Sequence, residues 1–232
     1  MHKGTILSLF DHSGNWPRPF QEAGYHVVSV DIKRGMDVTQ ITRAWLSRNV
    51  HIVGRVVGVL AAPPCTDFAS SGAQYWKAKD KDGRTAASVN LVRCALRIIE
   101  MCKPDWWALE NPVGRLPQLV PELRQCPVWY FHPWEFGGWL PVGFKSHAHR
   151  AWPAQDAYTK KTGIWGTCRM PEKRPVVPQY ITCSSGKHYS PVHWTTRDSD
   201  VYTKEVRSTT PAGFARAFFA ANDGYVPSVS FG

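Results

Sequence analysis

Four short apolar runs, separated by segments of helical pattern, constrain the fold of this chain more than any other feature. Runs of this kind are typical of strands buried on both faces of a sheet, and strands that alternate with helices are typical of βαβ units. A βαβ unit places its two strands parallel. The sequence therefore predicts an α/β fold with a mostly parallel sheet and helices on both of its faces. The runs are residues 5–10, 25–30, 56–60 and 106–109.

Helices are predicted between these runs and after them. Residues 86–103 form the clearest helix, because apolar residues recur there at helical spacing. Residues 16–23 predict a short helix with Asn15 as its N-cap, and 212–222 predict a longer one with Thr210 as its N-cap. Two further short strands are predicted at 128–132 and 163–166.

The ends of the first two runs have the layout of a nucleotide site. Residues 11–14 form a polar turn with one glycine, and Asp31 closes the second run. An acidic residue about 20 positions after such a turn is where a ribose ligand stands in dinucleotide-binding folds. Asp37 then begins the next helical segment as a possible N-cap. The alternative interpretation of Asp31 is a solvated charge at a strand end.

A cysteine directly after two prolines marks the end of the third run. Pro63 and Pro64 restrict the backbone, so the thiol of Cys65 is held in place. Free cysteines are mostly small buried hydrophobes, but the carboxyl ends of parallel strands are where ligands bind. Glu110 and Asn111 follow the fourth run and are expected at the same edge. A thiol and a carboxylate in one crevice predict a catalytic site with Cys65 as nucleophile.

Charge and aromatic content point to an anionic partner. The 232-residue chain has a net charge of +10 and 11 tryptophans, a combination that suits nucleic acid. Basic and aromatic residues interleave in two irregular segments, 66–85 and 167–207. The first is predicted to be a long loop that closes over the substrate, and the second a nucleic-acid contact surface. The basic residues of the second segment are Lys173, Arg174, Lys187, Arg197, Lys204 and Arg207.

Cysteine usage bears on compartment and on metal binding. The six cysteines are spread thinly and no signal peptide is visible, which favours a reducing cytoplasm. No apolar run approaches the length of a membrane span. Zinc ligation is the weaker interpretation of four residues, because they lack paired Cys-x-x-Cys spacing. These are Cys168, Cys183, His188 and His193.

Together these motifs resemble those of the DNA cytosine-5 methyltransferases, in particular the compact versions of phages and prophages. Residues 64–68 resemble the nucleophile motif, and 110–112 resemble the motif that holds the target cytosine. Residues 159–165 are similar to the basic catalytic strand, and 207–214 to the closing motifs. Residues 9–14, with Asp31 and 37–40, resemble the S-adenosylmethionine motifs.

The resemblance implies a Rossmann-like S-adenosylmethionine-dependent methyltransferase fold with a small irregular recognition region. Residues 1–166 would be the catalytic domain, 167–207 the target-recognition region, and 208–232 a helix returning to the catalytic domain. The implied catalytic residues are Cys65, Glu110, Asn111 and Lys161. The implied cofactor-binding residues are Phe10, Asp11, His12, Ser13, Gly14, Asp31, Ile32, Asp37, Val38, Pro63, Thr209 and Thr210.

The activity implied is methyl transfer from S-adenosylmethionine to C5 of cytosine, through a covalent adduct between Cys65 and C6. The implied partner is double-stranded DNA, bound by a monomer in the cytoplasm (the host cytoplasm for a phage-encoded protein). Two alternatives stay open. One is cytosine modification in RNA or in a free nucleotide. The other is a non-catalytic nucleic-acid-binding module on a methyltransferase scaffold.

Overall fold

A computed structural model describes residues 3–50, 54–146, 152–194 and 207–226. Its main feature is a six-stranded sheet with the strand order β2-β1-β3-β4-β6-β5. The strands of this sheet are β1 (Thr5–Leu9), β2 (His26–Val30), β3 (Val56–Ala61), β4 (Trp106–Pro112), β5 (Val128–Phe131) and β6 (Thr162–Gly166). A separate antiparallel pair consists of β7 (Ile181–Thr182) and β8 (His188–Tyr189).

The first four strands of the sheet are parallel. β1 pairs with both β2 and β3, and β3 pairs with β4. β6 runs antiparallel to β4 and to β5, and β5 forms the edge of the sheet on that side. The predicted α/β class with a mostly parallel, Rossmann-like sheet is confirmed.

Helices cover both faces of the sheet. The α-helices of the described chain are α1 (Arg18–Glu22), α2 (Arg43–Asn49), α3 (Trp76–Lys81), α4 (Arg84–Cys102), α5 (Leu116–Leu119), α6 (Pro191–Trp194) and α7 (Ala212–Asn222). Successive side chains of a strand point to opposite faces, so Leu7 enters one core and Ile6 the other. The core around Leu7 packs α2 and α4 against the sheet, and the core around Ile6 packs α1 and α7.

Two predicted N-caps are wrong. α1 begins after Pro17, without a side-chain cap, and Asn15 instead accepts a hydrogen bond from Arg18 Nη2 at 2.8 Å. Pro211, and not Thr210, holds the N-cap position of α7. Proline has no side-chain acceptor. The backbone N–H of Gly213 in the first turn of α7 instead donates a hydrogen bond to Asp156, which is distant in the sequence.

The predicted helix at 86–103 is confirmed as α4. It ends just before Lys103, whose backbone has a left-handed conformation. Asp37 caps a single 3-10 turn, Val38–Gln40, and α2 starts later, after its own N-cap Thr42. The long loop predicted at 66–85 is largely helical, because it contains a 3-10 helix, Ser70–Tyr75, followed by α3. Within the described residues, no helix is both long and apolar enough to cross a membrane.

Candidate active site

A cavity of about 1500 Å³ opens where the carboxyl ends of β1, β2 and β3 meet. In open α/β sheets this edge is where ligands bind. Of the predicted cofactor-binding residues, all but Gly14 and Pro63 are among the described residues that line it. Two predicted catalytic residues, Cys65 and Lys161, also line it. The predicted cofactor residues in its wall are Phe10, Asp11, His12, Ser13, Asp31, Ile32, Asp37, Val38, Thr209 and Thr210.

The loop after β1 is folded around the carboxylate of Asp11. This buried carboxylate accepts hydrogen bonds from Ser8 Oγ at 2.9 Å, from Gly14 N at 2.7 Å and from Ser13 Oγ at 3.2 Å. Phe10 turns the chain with a positive φ of 60°, a conformation that is strained for a residue with a side chain. The hydrogen bonds to Asp11 hold the loop in this shape, and Gly14 acts through its backbone.

Two further carboxylates line the cavity. Asp31 follows β2, and its Oδ1 accepts a hydrogen bond from Lys33 N at 2.8 Å. Asp37 Oδ1 accepts one from Thr39 N, also at 2.8 Å. Each carboxylate therefore caps a 3-10 turn and is fixed at the cavity wall, beside the apolar side chain of Ile32.

The Cys65 loop is held by its own backbone and by β4. Cys65 O accepts hydrogen bonds from Phe68 N at 3.0 Å and from Ala69 N at 2.9 Å. Asn111 is fully buried in β4, and its Nδ2 donates to Pro63 O at 3.0 Å. Asn111 and Pro63 thus fix the entry to the loop that presents the half-buried thiol of Cys65 to the cavity.

A buried ion pair, which no sequence motif predicted, braces the other end of this loop. Lys79 Nζ lies 2.9 Å from Asp67 Oδ1 and donates to Thr66 O at 2.6 Å. Ser88 Oγ in α4 donates to Asp67 Oδ2 at 2.5 Å, and Arg115 Nε donates to Asp67 O at 3.0 Å. The segment after Cys65 is therefore tied to both α3 and α4.

Glu110 occupies a narrow recess whose wall shares Lys160, Thr209 and Thr210 with the cavity. Lys160 Nζ lies 3.9 Å from Glu110 Oε1 and donates to Arg207 O at 2.9 Å. Burial raises the pKa of the Glu110 carboxyl, and the charge of Lys160 opposes this only in part. Glu110 is thus set up to carry a proton at a higher pH than an ordinary carboxyl.

The same lysine acts on the thiol. Burial raises the pKa of Cys65, the positive charge of Lys160 lowers it, and the negative charge of Glu110 raises it, with a net rise. Lys160 is therefore electrostatically coupled to both groups. Lys161, which the resemblance assigned to catalysis, also lines the cavity, and its Nζ lies 5.6 Å from the centre of the Tyr130 ring.

The second predicted contact surface is partly satisfied within the chain. Lys173 Nζ lies 2.9 Å from Glu135 Oε1, and the Arg174 guanidinium lies 3.8 Å from the centre of the Trp139 ring. Arg197 and Lys204, together with Tyr202, lie outside the described residues.

The four residues weighed as zinc ligands are spread over different elements. Cys168 packs against the aromatic core around Ile6, and burial raises the pKa of its thiol to about 12. Cys183 and His188 lie on the β7–β8 hairpin, while the side chain of His193 is not among those described. Among the described residues, no three side chains of the metal-binding types stand close enough to hold an ion.

Comparison with known proteins gives no family assignment. No protein-family model matches the chain, and no curated protein matches it either. One solved structure that resembles it is described as a candidate DNA modification methyltransferase encoded within an E. coli prophage, with 13% identity and a TM-score of 0.41. The match covers 70% of this chain but only 45% of that protein.

A second solved structure, of a Thermoplasma acidophilum protein, has 9% identity and a TM-score of 0.27, and the match covers 75% of this chain and 80% of that one. At these TM-scores neither likeness identifies a function. The function proposed below therefore depends on the residues of the cavity alone.

Proposed function

We propose that this protein transfers a methyl group from S-adenosylmethionine to C5 of cytosine in DNA, with Cys65 as the nucleophile. One observation supports this most strongly. A single cavity is lined by two fixed carboxylates, Asp31 and Asp37, and by a thiol, and β1 separates the strand before Asp31 from the strand before the thiol. The thiol of Cys65 shares one lysine, Lys160, with a carboxyl of raised pKa, Glu110.

The carboxylate end fits the proposed cofactor. Asp31 follows the second parallel strand, where a carboxylate accepts hydrogen bonds from a ribose diol. Ile32 and Val38 offer apolar surface beside it for an adenine ring. Asp11, Asp31 and Asp37 are the carboxylates among the described lining residues, and a carboxylate attracts the positive charge of a sulfonium. When bound, the cofactor would supply an electrophilic methyl group on its sulfonium.

Cys65 provides the covalent activation that cytosine C5 needs. Its Sγ would form a bond to C6, and the electron pair of the C5–C6 double bond would move into the ring towards C5. The thiol must first lose its proton, which burial disfavours and Lys160 favours. When Glu110 is protonated, it no longer carries the negative charge that opposes thiolate formation. Protonated Glu110 and deprotonated Cys65 therefore favour one another.

Glu110 would donate its proton to N3 of the ring as the adduct forms. A carboxyl held neutral by burial is suited to this role. The electron pair at C5 would form the bond to the methyl group, whose bond to sulfur breaks. When the C5 proton then leaves to a base, its electron pair restores the C5–C6 double bond, Sγ is expelled as a thiolate, and the N3 proton returns to Glu110. Asn111 contributes indirectly, since its contact with Pro63 O positions the loop that carries Cys65.

Transfer of tritiated methyl groups from S-adenosylmethionine to cytosine-containing duplex DNA tests this function. Wild type should label the DNA, and Cys65→Ala should not. Cys183→Ala is the matched control, because Cys183 also has a free thiol but lies on the β7–β8 hairpin outside the cavity. Full activity of Cys65→Ala would refute the mechanism. Labelling of RNA or free nucleotide alone would change the substrate, and no labelling at all would favour a binding module.

A further inference from the structure

An exposed aromatic side chain lies close to Lys161, a residue of the cavity wall. Tyr130 belongs to β5, the outermost strand of the sheet, and its side chain is 42% exposed. The alternate residues of β5, Trp129 and Phe131, pack into the aromatic core, whereas Val128 shares the exposed face with Tyr130. Since β5 fills its core on the other face, the exposed ring of Tyr130 is not needed there.

A glycine allows this ring to lie against the sheet. Tyr130 pairs with Gly163 of β6. A Cβ placed on Gly163 would stand 3.0 Å from Tyr130 Cε1 and 2.8 Å from the Trp165 ring. Any side chain at 163 would therefore displace one of the two rings. The Tyr130 ring also makes an edge contact with the Trp165 ring, at 6.3 Å between ring centres, and this contact helps to hold it in position.

A lysine joins this ring to the cavity. Lys161 Nζ lies 5.6 Å from the centre of the Tyr130 ring, and Lys161 O accepts a hydrogen bond from Val113 N at 3.2 Å. Lys161 is exposed and makes no ion pair with any carboxylate in the described part of the chain. Lys161 and Val113 both line the cavity that contains Cys65. We call these three residues, Val113, Lys161 and Tyr130, the mouth strip.

We propose that the mouth strip is a docking surface for the DNA backbone next to the target cytosine, with Lys161 on a phosphate and the ring of Tyr130 against the base or deoxyribose of a flanking nucleotide. The proposal rests on the function proposed above. It replaces the catalytic role that the resemblance implied for Lys161 with a role in binding. It also implies a polynucleotide substrate, since a free nucleotide has no flanking unit to reach Tyr130.

Charge distribution supports this occupant. The described carboxylates that line the cavity stand at the other end, around Asp31 and Asp37. Of the five described basic residues that line the cavity, Lys33 lies beside Asp31 and Lys79 is paired with Asp67. The other three, Lys160, Lys161 and Arg207, lie together, because Lys160 donates to Arg207 O and precedes Lys161 in the chain. With a net charge of +10 on the whole chain, this group of three cations attracts phosphate more strongly than the cofactor end does, where Lys33 stands among carboxylates.

Binding of a fluorescent cytosine-containing duplex, followed by anisotropy over a range of salt concentrations, tests the docking surface without any need for turnover. Tyr130→Ala should weaken binding about tenfold. Lys161→Gln should reduce the slope of log K against log salt by about one. Tyr130→Phe and Lys161→Arg keep the ring and the charge and should bind like wild type. A thermal melt of each variant confirms that it is folded.

Lys103→Gln is the matched control, because exposed Lys103 precedes β4 and so lies at the opposite edge of the sheet from Val113. It should bind DNA like wild type. Unchanged binding by folded Tyr130→Ala and Lys161→Gln would overturn the docking surface even in an enzyme that methylates DNA. Weakened binding by both variants, in a protein that transfers no methyl group, would support the surface and reject the activity. Losses confined to an RNA ligand would overturn DNA as the occupant.

Discussion

Replacing Asp67 with asparagine should destabilise the protein and loosen the loop that carries Cys65. Asp67 pairs with Lys79 at 2.9 Å, and their side chains are only 13% and 8% exposed. The substitution would leave Lys79 buried with no opposite charge beside it. Loss of one partner from a buried pair costs about 3–5 kcal/mol. Asparagine keeps an oxygen for the hydrogen bond from Ser88, so we expect a loss of about 3 kcal/mol, the lower end of that range.

The pH dependence of this pair has a definite sign. Burial raises the pKa of the Asp67 carboxyl, but hydrogen bonds from Ser88 and Lys79 lower it by more, so the net pKa is below its ordinary value. A lowered native pKa means that the unfolded state binds the proton more readily. The stabilisation is present above about pH 4, the unfolded value, and is lost as the pH falls through the lower native pKa.

Urea unfolding of wild type and Asp67→Asn at neutral pH measures the effect. A second measurement is the rate at which iodoacetamide alkylates Cys65 in the folded protein, which should rise when the loop loosens. Asp105→Asn is the matched control. It breaks an ion pair whose arginine, Arg55, is 61% exposed, and such pairs contribute about 1 kcal/mol or less. If Asp67→Asn costs no more than Asp105→Asn and leaves alkylation unchanged, the brace does not position Cys65.

Three further substitutions test other parts of the site. Glu110→Gln should abolish methyl transfer. Because burial raises the Glu110 pKa, the unfolding free energy of wild type should fall as the pH rises above about 4, and that of the variant should not. Urea unfolding at several pH values checks this. Asp31→Asn should weaken S-adenosylmethionine binding about tenfold in calorimetry while DNA binding stays unchanged, and equal cofactor affinity would contradict the assignment. Asp156→Ala should cost about 2 kcal/mol in urea unfolding, because buried Asp156 accepts hydrogen bonds from Gly213 N in the first turn of α7 and from Ser146 Oγ. An unchanged free energy of unfolding would show that another group satisfies this turn.

Features that depend on local sequence were predictable. The buried strands are apolar runs, and the residues that follow them must share one edge of a parallel sheet. The Asp31 position and the Cys65 loop were both found in this way. The sheet order also placed Glu110 on a strand next to that of Cys65.

Features that depend on contacts between distant segments were not predictable. The hydrogen bond from Asn111 to Pro63 and the cap that Asp156 gives α7 join residues 48 and 57 positions apart. Neither contact leaves a pattern in the sequence. The segment at 66–85 contains short helices that Lys79 braces internally through Asp67, and Ser88 and Arg115 tie it to the rest of the fold.

The choice between Lys160 and Lys161 shows a different limit. Neighbouring residues of an extended chain point in opposite directions, so a shift of one position moves a side chain from one environment to another. Motif similarity alone favoured Lys161. In the structure Lys160 lies near Glu110 and Lys161 lies near Tyr130, although both lysines line the cavity.

Covalent trapping tests the central claim, nucleophilic attack by Cys65, most directly. Duplex DNA with 5-fluorocytosine at its cytosine positions, incubated with the protein and S-adenosylmethionine, cannot lose a C5 proton after methyl transfer, so the enzyme should stay attached. Mass spectrometry should find the adduct on the peptide that contains Cys65, and Cys65→Ala should form none. An adduct on another residue, or no adduct from a folded protein that binds this DNA, would contradict the proposed mechanism.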